Sequence, residues 1–200
     1  MMLTSTDLDT LYLPAPENTG GRPLMEVLNE RRSTRSFRED TLSDQVLSNL
    51  LWAAFGVNRS ESGKRTAPSA RNWQEIDIYV CLERGCYFYD AAEHVLVPIL
   101  AEDIRSCTGS QSFVAKVPVN LVYIADFSRM HGAAEDQKTF YSAADAGFIS
   151  QNVYLFCASE GLATVVRGLV DRDMLAEKLA LKTDQKIILA QSVGYPVLQD

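Results

Sequence analysis

Three arginines lie within five residues of an otherwise acidic chain, at Arg31, Arg32 and Arg35, with Ser33 and Thr34 between them. The protein has 19 Lys and Arg residues against 26 Asp and Glu, which gives a formal net charge of −7. Like charges this close repel one another, and a folded domain usually keeps them when an anion or several carboxylates offset them. The cluster therefore indicates an anion site, and phosphate is the simplest candidate.

Carboxylates near the cluster offer a second interpretation. The arginines follow a predicted helix, and Glu30, Glu39 and Asp40 lie within a few positions of them. Basic side chains are favourable at the C-terminal end of a helix, and neighbouring opposite charges form ion pairs. In isolation, ion pairing explains the cluster better than phosphate does. The motifs that follow later in the chain reverse this preference.

Two later segments have the composition of loops that carry functional groups. Region 57–75 is polar and predicts a loop ahead of a strand, ending in the run Pro68-Ser69-Ala70-Arg71-Asn72-Trp73-Gln74. A long apolar segment ends in the run Gly161-Leu162-Ala163-Thr164-Val165-Val166-Arg167-Gly168. Taken alone, the first run is an ordinary turn and Gly168 an ordinary loop glycine.

Composition excludes several classes of function. With 46% hydrophobic and 22% charged residues among 200, the chain is typical of one compact globular domain. A nucleic-acid-binding surface needs broad positive charge, and no apolar run reaches the roughly 20 residues that cross a bilayer. We therefore expect neither nucleic acid nor a membrane as a partner. The N-terminal residues lack the features of a signal peptide, so we expect a cytoplasmic protein, or a periplasmic one if a leader has been removed.

Cysteines and histidines predict no metal site. The four cysteines form no C-x-x-C pair, and the two histidines, His94 and His131, are isolated from them and from each other. Cys81 belongs to a strand-like run and Cys157 to an apolar helix, so we interpret the thiols as small buried side chains. We assign no catalytic side chain and no metal ligand.

The remaining pattern predicts an α+β domain, residues 22–200, behind an extended arm, residues 1–21, that has little periodicity. The predicted elements are a helix from Pro23 to the arginines, a helix over 43–56, a hairpin over 76–89, a strand over 118–126, a buried helix over 141–160, a helix over 171–180 and a strand over 186–193. The two single strands do not alternate cleanly between apolar and polar residues. We therefore expect both to be central in a sheet.

In this order, the motifs resemble those of the nitroreductase-family flavoproteins. The resemblance is carried by the run from Arg31 to Phe37, by Pro68-Ser69-Ala70-x-Asn72-x-Gln74, by residues 161–168 and by Val193-Gly194-Tyr195-Pro196. No single motif is decisive, but four in family order are specific. The resemblance implies a central, mostly antiparallel or mixed sheet flanked by helices, in an obligate homodimer.

The resemblance also implies an activity and a cofactor. FMN would lie at the subunit boundary, take a hydride from NADH or NADPH, and pass it in ping-pong turnover to an electron-poor acceptor such as a nitroaromatic or a quinone. By resemblance, Arg31 and Ser33 bind the FMN phosphate and ribityl chain, and Arg32 belongs to the same site although it can point outward. Arg35 would lie near the pyrimidine edge of the isoalloxazine, where a cation favours the reduced flavin.

The other two motifs receive roles from the same resemblance. Pro68, Ser69 and Ala70 would contact the flavin of the neighbouring subunit, with Asn72 in the same composite pocket. The segment Val166-Arg167-Gly168 would form a turn whose backbone N–H groups reach flavin N5 and O4, and Gly168 would permit this close approach.

Two features of this chain depart from the family pattern. Many relatives have an acidic residue where this chain has Arg167. Many also have basic residues after the final strand, where this chain has only Val197-Leu198-Gln199-Asp200. We therefore expect phosphate binding to depend mainly on Arg31 and its neighbours.

Two other functions stay open. The runs Arg65-Thr66-Ala67-Pro68-Ser69-Ala70, Tyr87-Phe88-Tyr89-Asp90 and Asp145-Ala146-Gly147-x-x-x-Gln151-Asn152 resemble the branch that contains the azoline dehydrogenases, which use FMN to oxidise a peptide. The Lys-Tyr pair of that branch is not matched, because Lys138 and Tyr141 are separated, so we prefer NAD(P)H-linked reduction. The third interpretation is a flavin-free binding protein on the same fold, which only the missing basic tail favours.

Overall fold

The computed structural model describes residues 8–197 as a seven-stranded sheet, a separate two-stranded hairpin and four α-helices. The strands are β1 Leu11–Tyr12, β2 Val57–Arg59, β3 Lys64–Arg65, β4 Ile76–Leu82, β5 Gly85–Asp90, β6 Val95–Leu100, β7 Val119–Asp126, β8 Ala163–Arg167 and β9 Gln185–Gly194. The helices are α1 Leu24–Glu30, α2 Asp44–Phe55, α3 Glu135–Glu160 and α4 Arg172–Lys178. Residues 1–7 of the predicted arm and 198–200 of the tail lie outside the described residues.

The large sheet has the strand order β1-β6-β5-β4-β7-β9-β8, and all its neighbouring strands are antiparallel. Strands β2 and β3 form the separate hairpin. The predicted α+β class, with an antiparallel sheet flanked by helices, is therefore confirmed. Strand β7 is central, as expected, and β8 forms one edge of the sheet.

The sheet is covered on both faces, which explains the weak alternation of its central strands. In β7, Leu121 and Tyr123 enter the core shared with α2 and α3, whereas Val122 and Ile124 enter a second core on the opposite face. Helix α4 contributes Leu175 to that second core. Because both faces of these strands are buried, apolar residues occupy successive positions.

The ends of the helices follow local signals. The Ser43 side chain accepts a hydrogen bond from Val46 N at the start of α2, and the Asp171 side chain accepts one from Met174 N at the start of α4. Gly161, with φ of 69°, ends α3 in the left-handed region. Within residues 8–197, no helix has both the length and the apolarity needed to cross a membrane.

Several boundaries differ from the sequence predictions. Helix α3 begins at Glu135 rather than at 141, and the region predicted as a loop over 57–75 contains the β2–β3 hairpin. Strand β6 was not predicted. The arm is tied to the domain, because β1 pairs with β6 and Ser48 Oγ donates a 2.6 Å hydrogen bond to Pro14 O. The boundary between arm and domain at residues 21 and 22 stays a prediction.

Candidate active site

The arginine cluster lies along the β8 edge of the sheet. Thr34 N donates a 2.9 Å hydrogen bond to Thr164 O on β8, and Phe37 forms a β-bridge with Pro196, just beyond β9. Strand β8 has a strand neighbour on one side only, so residues 31–35 occupy its other side. The first and third sequence motifs, far apart in the chain, therefore meet at this edge.

Tyr154 of α3 joins these two motifs. Its hydroxyl oxygen accepts a 3.0 Å hydrogen bond from Val166 N and lies 2.7 Å from Ser33 Oγ. If the phenol donates to Ser33, the serine hydroxyl hydrogen stays available for another acceptor. The Arg31 guanidinium stands over the Tyr154 ring, 5.1 Å from its centroid. Sequence reasoning missed Tyr154; the signal was a polar hydroxyl in an otherwise apolar helical segment.

A cavity of about 450 Å³ opens beside the cluster. Its lining includes two predicted site residues, Arg31 and Arg32, together with Thr34 and Tyr154. Most of the remaining wall comes from the end of α3 and the start of β8, among them Cys157, Gly161, Leu162, Ala163 and Thr164. Arg22 and Glu30, which pair with each other, also line the cavity. Ser33 and Arg35 are exposed next to this cavity in the chain and do not line it.

The ion pairs of the structure distinguish the two interpretations of the arginine cluster. The three nearby carboxylates each pair with a different cation: Glu30 with Arg22, Asp40 with Arg38 and Glu39 with Lys116. Within the described part of the chain, no ion pair includes Arg31, Arg32 or Arg35. Direct ion pairs therefore do not neutralise the cluster within residues 8–197, although Glu30 lines the same cavity and its pKa is lowered mainly by its hydrogen bond to Arg22 and in smaller part by the charge of Arg32.

The third motif departs in part from the predicted turn. Val166 and Arg167 are the last residues of β8, and the chain leaves the strand at Gly168. Because backbone groups alternate along a strand, and Thr164 O and Val166 N bond away from β9, the Gly168 N–H belongs to the same outer set. Because Val166 N already donates to Tyr154, the Gly168 N–H is the donor of this set that this edge presents beside the arginines.

The Arg167 side chain points away from this edge into the protein. Its guanidinium donates to Thr108 O and, over 3.0 Å, to Asn120 Oδ1, and the side chain is buried. Burial lowers the pKa of Arg167 to about 10. The guanidinium is therefore not placed to contact a ligand at the outer edge of β8, and the Arg167 backbone, by strand alternation, faces β9.

The second motif forms a tight turn held by α3. Gln74 N donates a 2.7 Å hydrogen bond to Ser69 Oγ, and Ala70 N donates a 2.8 Å hydrogen bond to Asp145 Oδ2. Asn72 is exposed and has a positive φ of 57°. Sequence reasoning gave Asp145 no part in the site, although a single acid in the middle of an apolar helix indicated a buried partner.

Glu75 and Asp145 form a buried carboxyl pair beneath this turn. Glu75 has no solvent exposure, and its Oε1 has no hydrogen-bond partner among the described residues. Burial, reinforced by the charge of Asp145, raises the pKa of Glu75 to about 7, and burial also raises the pKa of Asp145. Since Asp145 already accepts a hydrogen bond from Ala70 N, we assign the shared proton to Glu75.

The carboxyl pair predicts a specific pH dependence of stability. The pKa of Glu75 rises from 4.5 to about 7 on folding, so folding binds a proton between these values and the free energy of unfolding falls as pH rises through them. The Glu75→Gln variant carries no such proton. The parent should therefore lose on the order of 3 kcal/mol of unfolding free energy between pH 4.5 and pH 8 that the variant does not lose. The difference in stability between variant and parent shifts by this amount in favour of the variant.

Urea denaturation at pH 5 and pH 8 measures this difference. The exposed hairpin residue Glu83 provides the matched control, Glu83→Gln, which should keep the pH profile of the parent. Parallel profiles for Glu75→Gln and the parent would contradict the assignment of the proton to Glu75.

The two halves of the predicted site lie in different places on one chain. Arg31 and Arg32 line the cavity at the edge of β8, whereas Pro68, Ser69 and Asn72 line a separate cavity of about 240 Å³. The two linings have no residue in common. A single chain therefore does not bring all the predicted site residues together.

Comparisons with known proteins agree with the order of the motifs. The MJ1384 protein of Methanocaldococcus jannaschii, whose name assigns it provisionally to the nitroreductases, is 34% identical over 184 residues, which cover 87% of this chain and 92% of that protein. A crystal structure of a Ralstonia eutropha JMP134 protein, also described provisionally as a nitroreductase, matches with a TM-score of 0.92 and 44% identity, over 98% of this chain and 93% of the other.

A Bacillus subtilis protein named FMN reductase (NAD(P)H) is 23% identical over 159 residues, which cover 74% of this chain and 54% of that protein. The model of the nitroreductase family matches residues 28–195. This range includes the arginine cluster, the turn held by Asp145 and the edge of β8. The chain belongs to the nitroreductase family.

Proposed function

We propose that the protein is an FMN-dependent oxidoreductase that uses NADH or NADPH to reduce an electron-poor acceptor such as a nitroaromatic or a quinone. The observation that carries the proposal is a set of arginines that form no ion pair within residues 8–197 and line a cavity at the β8 edge of the sheet. Bound there, FMN would supply a carrier that accepts and returns a hydride. The FMN reductase of B. subtilis is a family relative that supports this choice of cofactor.

The residues at this edge fit the parts of FMN. Arg31, oriented by the Tyr154 ring, binds the phosphate, and the Ser33 hydroxyl donates to the phosphate or the ribityl chain. Arg32 adds positive charge at the cavity. Arg35 stabilises the negative charge that collects on the pyrimidine edge on reduction. The Gly168 N–H orients the ring edge, whereas the Val166 N–H already donates to Tyr154 and the Arg167 N–H, by strand alternation, faces β9.

A homodimer completes the site. The turn Pro68-Ser69-Ala70 lies in a different cavity from Arg31, so in our proposal it contacts the cofactor bound by the neighbouring chain, with Asn72 in the same pocket. Large apolar side chains stay exposed on two helices: Leu24 and Met25 on α1, and Phe140 and Phe148 on α3. An apolar surface of this kind supports burial against a second copy.

One absorbance experiment tests the proposal. The purified protein should be yellow or take up added FMN, and the flavin absorbance should bleach when NADH or NADPH is added without oxygen. Colourless protein that takes up no FMN would overturn the proposal. Flavin that binds but is poorly reduced by both nicotinamides would instead favour the dehydrogenase alternative. Light scattering on the same sample gives the mass and thus tests the dimer.

A further inference from the structure

A second basic cavity lies on the β2–β3 hairpin. Its volume is about 240 Å³, and Arg59, Lys64 and Arg65 line it together with the polar side chains of Ser69, Asn72 and Gln74. No acidic residue belongs to this lining. Three cations thus surround a small polar space in a protein whose net charge is −7.

These cations form no ion pair with a carboxylate in the part of the chain that the structure describes, although the charge of Asp77 partly offsets the desolvation of Arg65. None of the ion pairs found between residues 8 and 197 includes Arg59, Lys64 or Arg65. Arg65 is half-buried, and desolvation is the main reason why its pKa is lowered. An anion in the cavity would offset both the repulsion among the three charges and the desolvation of Arg65.

The Arg65 guanidinium is held in place by contacts that leave some of its N–H donors unused. Its Nε donates to Gln74 Oε1 over 2.9 Å, its Nη1 donates to Phe55 O over 3.3 Å, and the group stands 4.6 Å from the centroid of the Phe55 ring. Within residues 8–197, Nη2 has no hydrogen-bond acceptor. The side chain is therefore oriented in advance for an additional acceptor, which lowers the cost of binding one.

The walls of the cavity are braced in the same way. Arg59 Nη2 donates to Arg65 O over 2.7 Å, and Gln74 Nε2 donates to Gly63 O over 3.0 Å. Arg71, Asn72 and Gln74 all have positive φ, between 48° and 57°, without being glycine. Such backbone persists only where its surroundings enforce it, and it is concentrated at ligand clamps and active sites.

We infer that this cavity binds an oxyanion, a phosphate or a carboxylate, carried by one of the two substrates of the enzyme. The inference rests on the proposed function, because Pro68 and Ser69 belong both to this cavity and to the turn that we place beside the cofactor of the neighbouring chain. The oxyanion has two sources, the phosphates of NADPH or an acidic group on the acceptor. In either case the cavity selects among substrates by charge.

Lys64→Gln tests the inference, because Lys64 is exposed and makes no side-chain hydrogen bond within residues 8–197, so the braces stay intact. The matched control is Lys182→Gln, an exposed lysine between α4 and β9. Steady-state kinetics of the FMN-loaded protein should show one of two results. If the oxyanion belongs to the reductant, KM for NADPH rises about tenfold and KM for NADH changes little. A tenfold change corresponds to the loss of one charge-assisted hydrogen bond.

If the oxyanion belongs to the acceptor, KM rises for 4-nitrobenzoate and stays constant for uncharged 4-nitrobenzamide. Binding of inorganic pyrophosphate, measured by calorimetry on FMN-loaded and FMN-free protein, tests the cavity without depending on catalysis. Weaker pyrophosphate binding in Lys64→Gln than in Lys182→Gln supports the cavity even if the protein proves to hold no flavin. Equal pyrophosphate binding in the two variants, with all four KM values unchanged, overturns the inference.

Discussion

Arg31→Ala will lose most of its FMN and keep its fold. Arg31 lies at the end of α1, outside the buried core, and takes part in no ion pair within the described residues. A hydrogen bond from an arginine to an oxyanion contributes about 1.5–3 kcal/mol, so losing one or two weakens binding by roughly tenfold to more than a hundredfold. Fluorescence titration with FMN measures the dissociation constant directly.

The control for this variant is Arg38→Ala. Arg38 is exposed and pairs with Asp40, and replacing it removes one positive charge from the same segment without touching the cavity. Its FMN affinity should stay within about twofold of the parent, because a screened charge outside the cavity contributes little. Equal flavin content in Arg31→Ala and the parent would remove Arg31 from the site and with it the main support for the proposed function.

Gly168→Val will impair flavin binding and reduction with little effect on the fold. A Cβ at Gly168 would meet only Leu189 Cδ2, at 3.9 Å, and the φ of this glycine does not lie in the left-handed region. The protein itself therefore has room for a side chain there. In our proposal that room is where the isoalloxazine edge approaches the backbone, so a valine would obstruct the approach.

Two measurements separate the ligand effect from a folding effect. The melting temperature of the FMN-free variant should match that of the parent, whereas the FMN dissociation constant and the anaerobic rate of reduction by NADPH should both be worse. Gly168→Ala, with a smaller side chain, should fall between the parent and the valine variant. Normal reduction of the flavin in Gly168→Val would mean that the cofactor does not approach the chain at this position.

The elements that the sequence predicted best are those whose signals are local. The hairpin of β4 and β5, the cap at Ser43 and the stop at Gly161 each depend on a few neighbouring residues, and the structure confirms them. Strand β8 was missed because it is short and directly follows a helix whose apolar pattern runs into it. Pro98 obscured β6, because proline argues against a strand except at special positions.

The site was predicted less completely than the fold, because its contacts span the chain. The hydroxyl groups of Ser33 and Tyr154 are separated by 121 positions, and Ala70 lies 75 positions from Asp145. Neither the hydrophobic periodicity nor the motif spacing of a sequence reveals contacts between residues so far apart in the chain. The order of the motifs predicted Arg31 and Gly168 as site residues, whereas the contacts of Tyr154 and of the Glu75–Asp145 pair appear only in the folded chain. The assignments of individual residues to FMN remain proposals.

The hydrogen bond from Thr34 to Thr164 has a consequence for solubility. An uncovered edge strand is a template on which other chains polymerise, and proteins usually shield such edges. Residues 31–35 provide this shield for β8. We therefore expect a ligand bound to the arginine segment also to protect the sheet from intermolecular pairing, so light scattering should show more aggregation on storage in preparations depleted of that ligand.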